Sequence, residues 1–366
     1  MISLYSKILV INLMHIGDLL LVTPVLRALR TAYPDAHIAL LADSKLSDLV
    51  KYNKNIDELI ALDKKGYHNK LSNYLQAVAD IRAKKFDLVI NLHANERASF
   101  IAAFSGANKI VGYSTFGLHW FFDKTMKNRK AVKHQVESHF DVLREFVGVT
   151  EIDDHGIEMW LDESAETKAA KIWHEQFGST DAKVIGLNIG ASWPTKRWRS
   201  EYYAELADRL LDRGYAIAYF GGSMDQEIVD ETIEKMRHRH HPMLKVLTGK
   251  LSLMELAAML KKCTVLVTND SGPMHVAVAM DVPLVTMFGS SPVPGFYPYN
   301  NKSILIKTPV ACHPCGEHHC DHHECMKVIT VDTVLGYTVE LIGKYGDRQG
   351  DLARDMGQYK CRIIEL

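Results

Sequence analysis

The chain has 366 residues, too long for one ordinary hydrophobic core, so two domains are expected. Hydrophobic residues make up 47% and charged residues 24%, the balance of a globular chain, and no apolar stretch approaches the ~18 residues of a membrane span. A formal net charge of −1 argues against a dedicated nucleic-acid binder, so no nucleic-acid partner is expected.

Strand-like runs alternate with amphipathic segments throughout, which is the α/β pattern. Residues 8–11 read as a fully buried strand. The loop Asn12-Leu13-Met14-His15-Ile16-Gly17-Asp18 follows, with no small-residue cleavage site, so no signal peptide and a cytoplasmic location are expected. A helix over 19–32 is predicted to start close to Asp18, because Pro24 is tolerated only in the first turns. Further strands are expected at 37–41, 59–62, 88–92 and 109–112, with a helix over 71–81. No Gly-x-Gly-x-x-Gly follows the first strand, which removes the main support for a dinucleotide oxidoreductase.

Residues 122–134 carry Lys124, Lys127, Arg129, Lys130 and Lys133 against Asp123, either a solvated loop or a cationic contact for an anionic ligand. A helix over 139–146 and a strand over 157–161 precede a charged helix and the linker-like Gly178-Ser179-Thr180-Asp181. A second α/β series then opens with a strand at 183–188. It continues through helix 201–211, strand 216–220, helix 225–236, strand 245–247, helix 253–261, strand 264–267 and strand 284–288. Two βα series of similar size predict two Rossmann-like domains facing a central cleft, over 1–178 and 179–345. Residues 346–366 form a polar tail whose last apolar stretch, 361–366, is expected to dock on a neighbour.

The stretch Asn269-Asp270-Ser271-Gly272-Pro273-Met274-His275 joins a buried strand to a small-residue helix. Pro273 fits the first helical turn, and Asp270 or Ser271 is the natural N-cap. The free amides of that turn, with the positive end of the helix dipole, make an anion site that Gly272 leaves open. Two more loops fall at carboxyl ends of strands. One holds Gly17-Asp18; the other is Gly190-Ala191-Ser192-Trp193-Pro194-Thr195-Lys196-Arg197-Trp198. A carboxylate in one half, with a lysine and a phosphate-type helix terminus in the other, suits sugar transfer from a nucleotide diphosphate. A base must take a hydroxyl proton, and cationic or N–H groups must stabilise the departing diphosphate. No Asp-x-Asp occurs, so the divalent-cation clamp common in sugar transferases has no counterpart and the protein's own positive groups must replace it.

Ile16-Gly17-Asp18-Leu19-Leu20 with Thr23-Pro24-Val25-Leu26-Arg27-Ala28-Leu29-Arg30 resembles the N-terminal signature of the ADP-heptose:lipopolysaccharide heptosyltransferases, glycosyltransferase family 9. Lys196 and Trp198 meet that family's Lys-x-Trp. Gly249-Lys250-Leu251-Ser252-Leu253, the Asp270–His275 stretch and Phe288-Gly289-Ser290 match its nucleotide-binding portion in the same order. The resemblance implies an inverting enzyme of GT-B fold that needs no cofactor for catalysis. The N-terminal domain would bind the acceptor and the C-terminal domain the nucleotide sugar, ADP-heptose. It places Asp18 as general base and Lys196 against the diphosphate or donor sugar. Asp270 would bond the donor heptose or orient the loop, and Ser271 and Gly272 would offer N–H groups to phosphate. His275, Ser192 and Thr195 are further phosphate ligands, Gly17 lines the site, and 221–223 with 248–249 wall the adenine. The acceptor implied is an anionic lipopolysaccharide core glycolipid at the inner face of the cytoplasmic membrane, reached peripherally. Transfer of heptose to an adhesin, and a non-catalytic metal- and nucleotide-binding module, are the alternatives.

Cys312, Cys315, Cys320 and Cys325 have Cys-x₂-Cys spacing followed by two further cysteines, a set that can close on one structural zinc or iron. Histidines 313, 318, 319, 322 and 323 can substitute as ligands; a reduced metal-free loop and disulfides are the other readings.

Overall fold

The computed structural model describes residues 5–115, 117–178, 183–346 and 361–366. It divides into two compact units, Met1–Trp160 and Leu161–Leu366. The first carries strands β1 (Lys7–Ile11), β2 (His37–Asp43), β3 (Glu58–Leu62), β4 (Leu88–Asn91), β5 (Lys109–Gly112) and β6 (Lys124–Thr125). The second carries β7 (Val184–Asn188), β8 (Ala216–Phe220), β9 (Leu244–Val246), β10 (Val265–Asn269), β11 (Leu284–Phe288), β12 (Ser303–Lys307) and β13 (Arg362–Glu365).

Every pairing in both sheets is parallel. Parallel strands covered by helices on both faces need apolar residues at every position, which is why β1, β7, β8, β10 and β11 read as continuous apolar runs. The first sheet runs β3-β2-β1-β4-β5-β6 and the second β13-β12-β11-β10-β7-β8-β9. Renumbered within its own unit, the second repeats the order of the first and adds one edge strand. Each is thus a Rossmann-type sheet with one point where the strand order reverses, at β1/β4 and at β7/β10. Ligands of open α/β sheets bind beyond the carboxyl ends of the strands at that point.

Four expectations change. The predicted helix 19–32 is two helices, Ile16–Leu20 and Thr23–Ala32. Pro24 has no N–H to offer the Leu20 carbonyl, and the Thr23 hydroxyl bonds that carbonyl instead, at 2.7 Å. Residues 157–161 form no strand. Within this stretch Glu158 N–H bonds Thr23 Oγ1 at 3.0 Å, and just before it Arg27 holds the carbonyls of Asp153 and Gly156.

The boundary between the units lies at Trp160/Leu161 rather than 178/179. Helix Glu163–Phe177 buries Ala165, Ala169, Trp173 and Phe177, a stripe of four-residue spacing, and packs on helix Leu253–Lys262 of the second unit. Ion pairs Lys168–Glu255 and Lys261–Glu166 join the same two helices. The linker-like residues 179–181 lie outside the described residues. The tail's last segment is no free docking arm: β13 pairs with β12 as the sheet's edge, with Arg362 on Glu340 at 2.7 Å.

Candidate functional site

In the second unit the loops after β7 and β10 meet at the reversal point, and asparagines stitch them together. The Asn188 amide donates to Thr268 Oγ1 and Ser271 Oγ, both at 3.0 Å. Asn269 accepts the Trp198 N–H at 2.9 Å and donates to the Ile189 carbonyl at 2.6 Å. Trp198 and Tyr203, both fully buried, fill the space beneath. The loops are therefore held by the core, which keeps their side chains preorganised.

On this platform Lys196 Nζ bonds Asp270 Oδ2 at 2.6 Å, and the Ser291 hydroxyl donates to the same oxygen at 2.5 Å. Asp270 is buried, with a side chain only 10% exposed, whereas Lys196 keeps 24%. Ser291, at the end of the loop after β11, was not anticipated from the sequence; its neighbours Gly289 and Ser290 were. Ser271 is the N-cap of helix Gly272–Ala279, with Pro273 in the first turn. Its hydroxyl does not cap the helix but bonds Asn188 and Thr268, so no side chain caps the first turn. His275 is buried within that helix and Ser192 is exposed. The two segments expected around adenine also meet: Gly249 N–H bonds the Gly221 carbonyl at 3.0 Å.

Thr195 departs from expectation. It is buried, its hydroxyl donates to the Glu317 carbonyl at 2.6 Å and accepts from Ser290 Oγ at 3.2 Å. A hydroxyl so engaged is not a spare phosphate donor. The reason lies 122 residues away in the cysteine-rich loop, which no local pattern reveals.

That loop, 312–325, holds four free thiols. Cys312 and Cys315 are exposed, and Cys325 is buried at the start of helix Glu324–Lys327. Burial, then the neighbouring Cys312, Cys315 and Cys320, pushes the Cys325 thiol up to about 11. The soft donor chemistry of four thiols suits zinc or iron. Yet the assembled ligand set expected from the spacing is not formed: among the described residues no three His, Cys, Asp or Glu side chains stand in a metal-holding arrangement. Cys320 Sγ instead accepts the His323 N–H at 3.2 Å, and Cys325 is wedged where a Cβ on Gly289 would lie 3.1 Å from its sulfur.

In the first unit, β1 runs into a loop that Asn12 folds back on itself, accepting Met14 N–H at 3.0 Å and donating to the Asp18 carbonyl at 3.4 Å. Asp18 sits in helix Ile16–Leu20 after buried Gly17, with His15 as N-cap. Its carboxylate lies 3.7 Å from the His15 ring and is 13% exposed. From the adjacent β4 comes His93, which sequence reasoning missed. Burial pulls its imidazole down to about 4, against the opposing pull of Asp18 and with Lys64, His15 and Lys130 adding to the shift. His93 Nδ1 is buried without a hydrogen-bond partner. Behind it His139 is fully buried between Tyr113 Oη at 3.3 Å and Gln135 Nε2 at 3.2 Å; burial takes it down to about 3, again opposed by Asp18. Lys64 bonds Asp43 at 2.9 Å and the Leu13 carbonyl at 2.5 Å, tying β3's end to the Asp18 loop. The one signal for His93 and Lys64 in the sequence is their place just after apolar strands; His139, inside helix Gln135–Val142, has none.

The basic run is partly spent internally. Arg129 and Lys133 both pair with Asp141, while Lys124 and Lys127 stay exposed.

Two Rossmann-type units, each with polar chemistry at its own reversal point, define a two-domain α/β transferase of the GT-B class. The comparisons agree. The family profile described as glycosyltransferase family 9 (heptosyltransferase) matches residues 75–326. Lipopolysaccharide heptosyltransferase 2 of Escherichia coli K12 is 26% identical, covering 90% of this chain and 96% of its own. A solved family 9 glycosyltransferase from Veillonella parvula is 35% identical with a TM-score of 0.85, covering 93% and 98%. The structure of E. coli ADP-heptose lps heptosyltransferase II has 24% identity and a TM-score of 0.76, covering 92% and 99%. The chain belongs to glycosyltransferase family 9, the heptosyltransferases.

Proposed function

We propose that the chain transfers heptose from ADP-heptose to a lipopolysaccharide inner-core acceptor, with inversion at the anomeric carbon. The observation that carries this reading is the Lys196–Asp270–Ser291 cluster at the mouth of helix Gly272–Ala279. A cation and the amides of a helix N-terminus that no side chain caps suit a diphosphate. The names of the relatives support the donor and the acceptor class.

In the proposed reaction an acceptor hydroxyl oxygen bonds to the anomeric carbon while the carbon–oxygen bond to the diphosphate breaks. Asp18 takes the hydroxyl proton and ADP leaves with the bonding electron pair. Lys196 and the N–H groups of Ser271 and Gly272 offset the charge that grows on the leaving oxygen. Asp270 holds Lys196 in place and is positioned to meet a donor hydroxyl. The unit carrying Asp18 serves the acceptor, and the unit carrying Lys196 serves the nucleotide sugar, with 221–223 and 248–249 around the adenine.

No helix among the described residues is long and apolar enough to cross a membrane. Peripheral contact is proposed through the segment where Trp120 is 82% exposed and Phe121 and Val132 are also exposed, beside Lys124 and Lys127. A structural zinc or iron is proposed for Cys312, Cys315, Cys320 and Cys325, where it would cross-link the loop and take no part in transfer. Elemental analysis of untagged protein then gives about one ion per chain; a value far below that removes the site.

The deciding experiment incubates the protein with ADP-heptose and a panel of truncated core acceptors and follows products by mass. ADP release that requires a core acceptor, with one heptose added, is the expected result. ADP release only with an adhesin polypeptide would reassign the acceptor, and no acceptor-dependent release with either would refute the transferase reading.

A further inference from the structure

The cysteine-rich loop grips the residue before each of Asp270's two partners. Before Lys196, the Thr195 hydroxyl donates to Glu317 O at 2.6 Å, and the Thr195 carbonyl lies 2.9 Å from His323 Nε2. Lys196 N–H, the other half of that same peptide unit, bonds the Trp193 carbonyl at 3.1 Å. The Trp193 ring stacks on His318, with centroids 3.6 Å apart and planes 8° from parallel. Before Ser291, the Ser290 carbonyl accepts Gly316 N–H at 2.8 Å, and the Gly289 carbonyl meets His313 Nδ1 at 2.5 Å.

Both edges of the peptide plane from which Lys196 springs are therefore fixed, one of them by the loop. His323 reaches its partner from a left-handed backbone, φ 46, a conformation a non-glycine residue holds only when its surroundings impose it. A lysine has four rotatable bonds, so its ammonium stays at one place only if its backbone does and its carboxylate partner is held as well. Here one loop holds the backbone on both sides of Asp270.

We propose that residues 312–325 act as a clamp that positions Lys196 and Ser291 about Asp270 for the donor diphosphate, with Thr195 and His323 as its positioning residues. This rests on the reading that Lys196 meets the diphosphate. The clamp gives the loop a role in donor binding whether or not the thiols hold a metal, and it makes Thr195 a structural pin.

The test is calorimetric titration of ADP, with steady-state kinetics, on Thr195→Val, Thr195→Ser, His323→Ala, His323→Gln and Lys196→Ala. Thr195→Val and His323→Ala should each weaken ADP binding about tenfold, the worth of one well-placed hydrogen bond. The KM for ADP-heptose rises in step and the acceptor KM stays put, a split that a general loss of fold does not produce. Thr195→Ser and His323→Gln, which keep the hydrogen-bonding groups, should return to within about twofold of wild type. If Thr195→Val fails to fold, the His323 pair decides, since that ring is only half-buried. Wild-type ADP affinity in His323→Ala, beside a weakened Lys196→Ala, overturns the clamp and leaves the diphosphate reading standing. Unchanged ADP affinity in Lys196→Ala overturns that reading itself, and the clamp with it.

Discussion

The two sheets share a strand order, but the chemistry at their reversal points is built in opposite ways. Around β7/β10, Asp270 is bonded by Lys196 and Ser291, which are themselves braced by a distant loop. Around β1/β4, Asp18 has an exposed imidazole 3.7 Å away and two buried imidazoles within electrostatic reach, both held neutral. The contrast follows from the two tasks proposed. The surroundings of the proposed base are set by groups that tune its charge, here the imidazoles of His15, His93 and His139. A cradle for a departing diphosphate works best when its charges need no reorganisation, so it is rigid and paired.

That comparison can be broken at its strongest point. Asp18→Asn should lower kcat by about 10²–10⁴ with ADP affinity unchanged, because only proton uptake is lost; a parallel loss of ADP binding would erase the division between the units. Lys196→Ala should cost about 10²–10³ in turnover and weaken ADP as well. Steady-state rates and ADP titration distinguish the two patterns.

Rigidity in the second unit can be probed without touching the cluster. A Cβ on Gly190 would lie 2.3 Å from the Asp225 carboxyl carbon, and Asp225 holds the Gly222 N–H at 2.9 Å. Gly190→Ala should therefore destabilise the protein by about 1–3 kcal/mol in urea titration, the cost of overpacking a filled site.

The first unit should instead show its character in acid. His93 and His139 are depressed in the folded state, so the unfolded chain takes up their protons first, near the ordinary 6.5. Stability from these two groups is complete above 6.5 and is lost as pH falls toward about 4 and then 3. Urea midpoints measured at neutral and at mildly acid pH should differ less in His93→Asn than in wild type. The smallest effect expected is a fall in acceptor affinity with added salt, from the exposed Lys124, Lys127 and Lys130, since Arg129 and Lys133 already pair with Asp141.

Most of the strands were legible in the chain because buried parallel strands must be apolar throughout; β5, β8 and β11 match the expected limits. The site was legible only in pieces. Gly17-Asp18 and the 270–275 turn announce themselves by small and capping residues at the end of an apolar run. Ser291 and His93 carry no such mark, and Thr195 carried a misleading one, since a hydroxyl beside a lysine reads as a phosphate ligand until its partner is known. The edge strand β13 reads in the sequence only as an apolar stretch at the end of a polar tail that docks on a neighbour, because four residues far from their sheet carry no sign of the strand they pair with.

By itself, then, the sequence determined most of the central strands, where the polar loops interrupt them, and that the fold is two α/β halves. Those properties depend on burial and capping within a few residues. Tertiary structure alone decided that Lys196 meets Asp270 74 residues away, that Thr195 faces Glu317, and that His93 shares Asp18's surroundings. Strand order sets those meetings, and it is chosen by how whole sheets pack, a balance no local stretch contains.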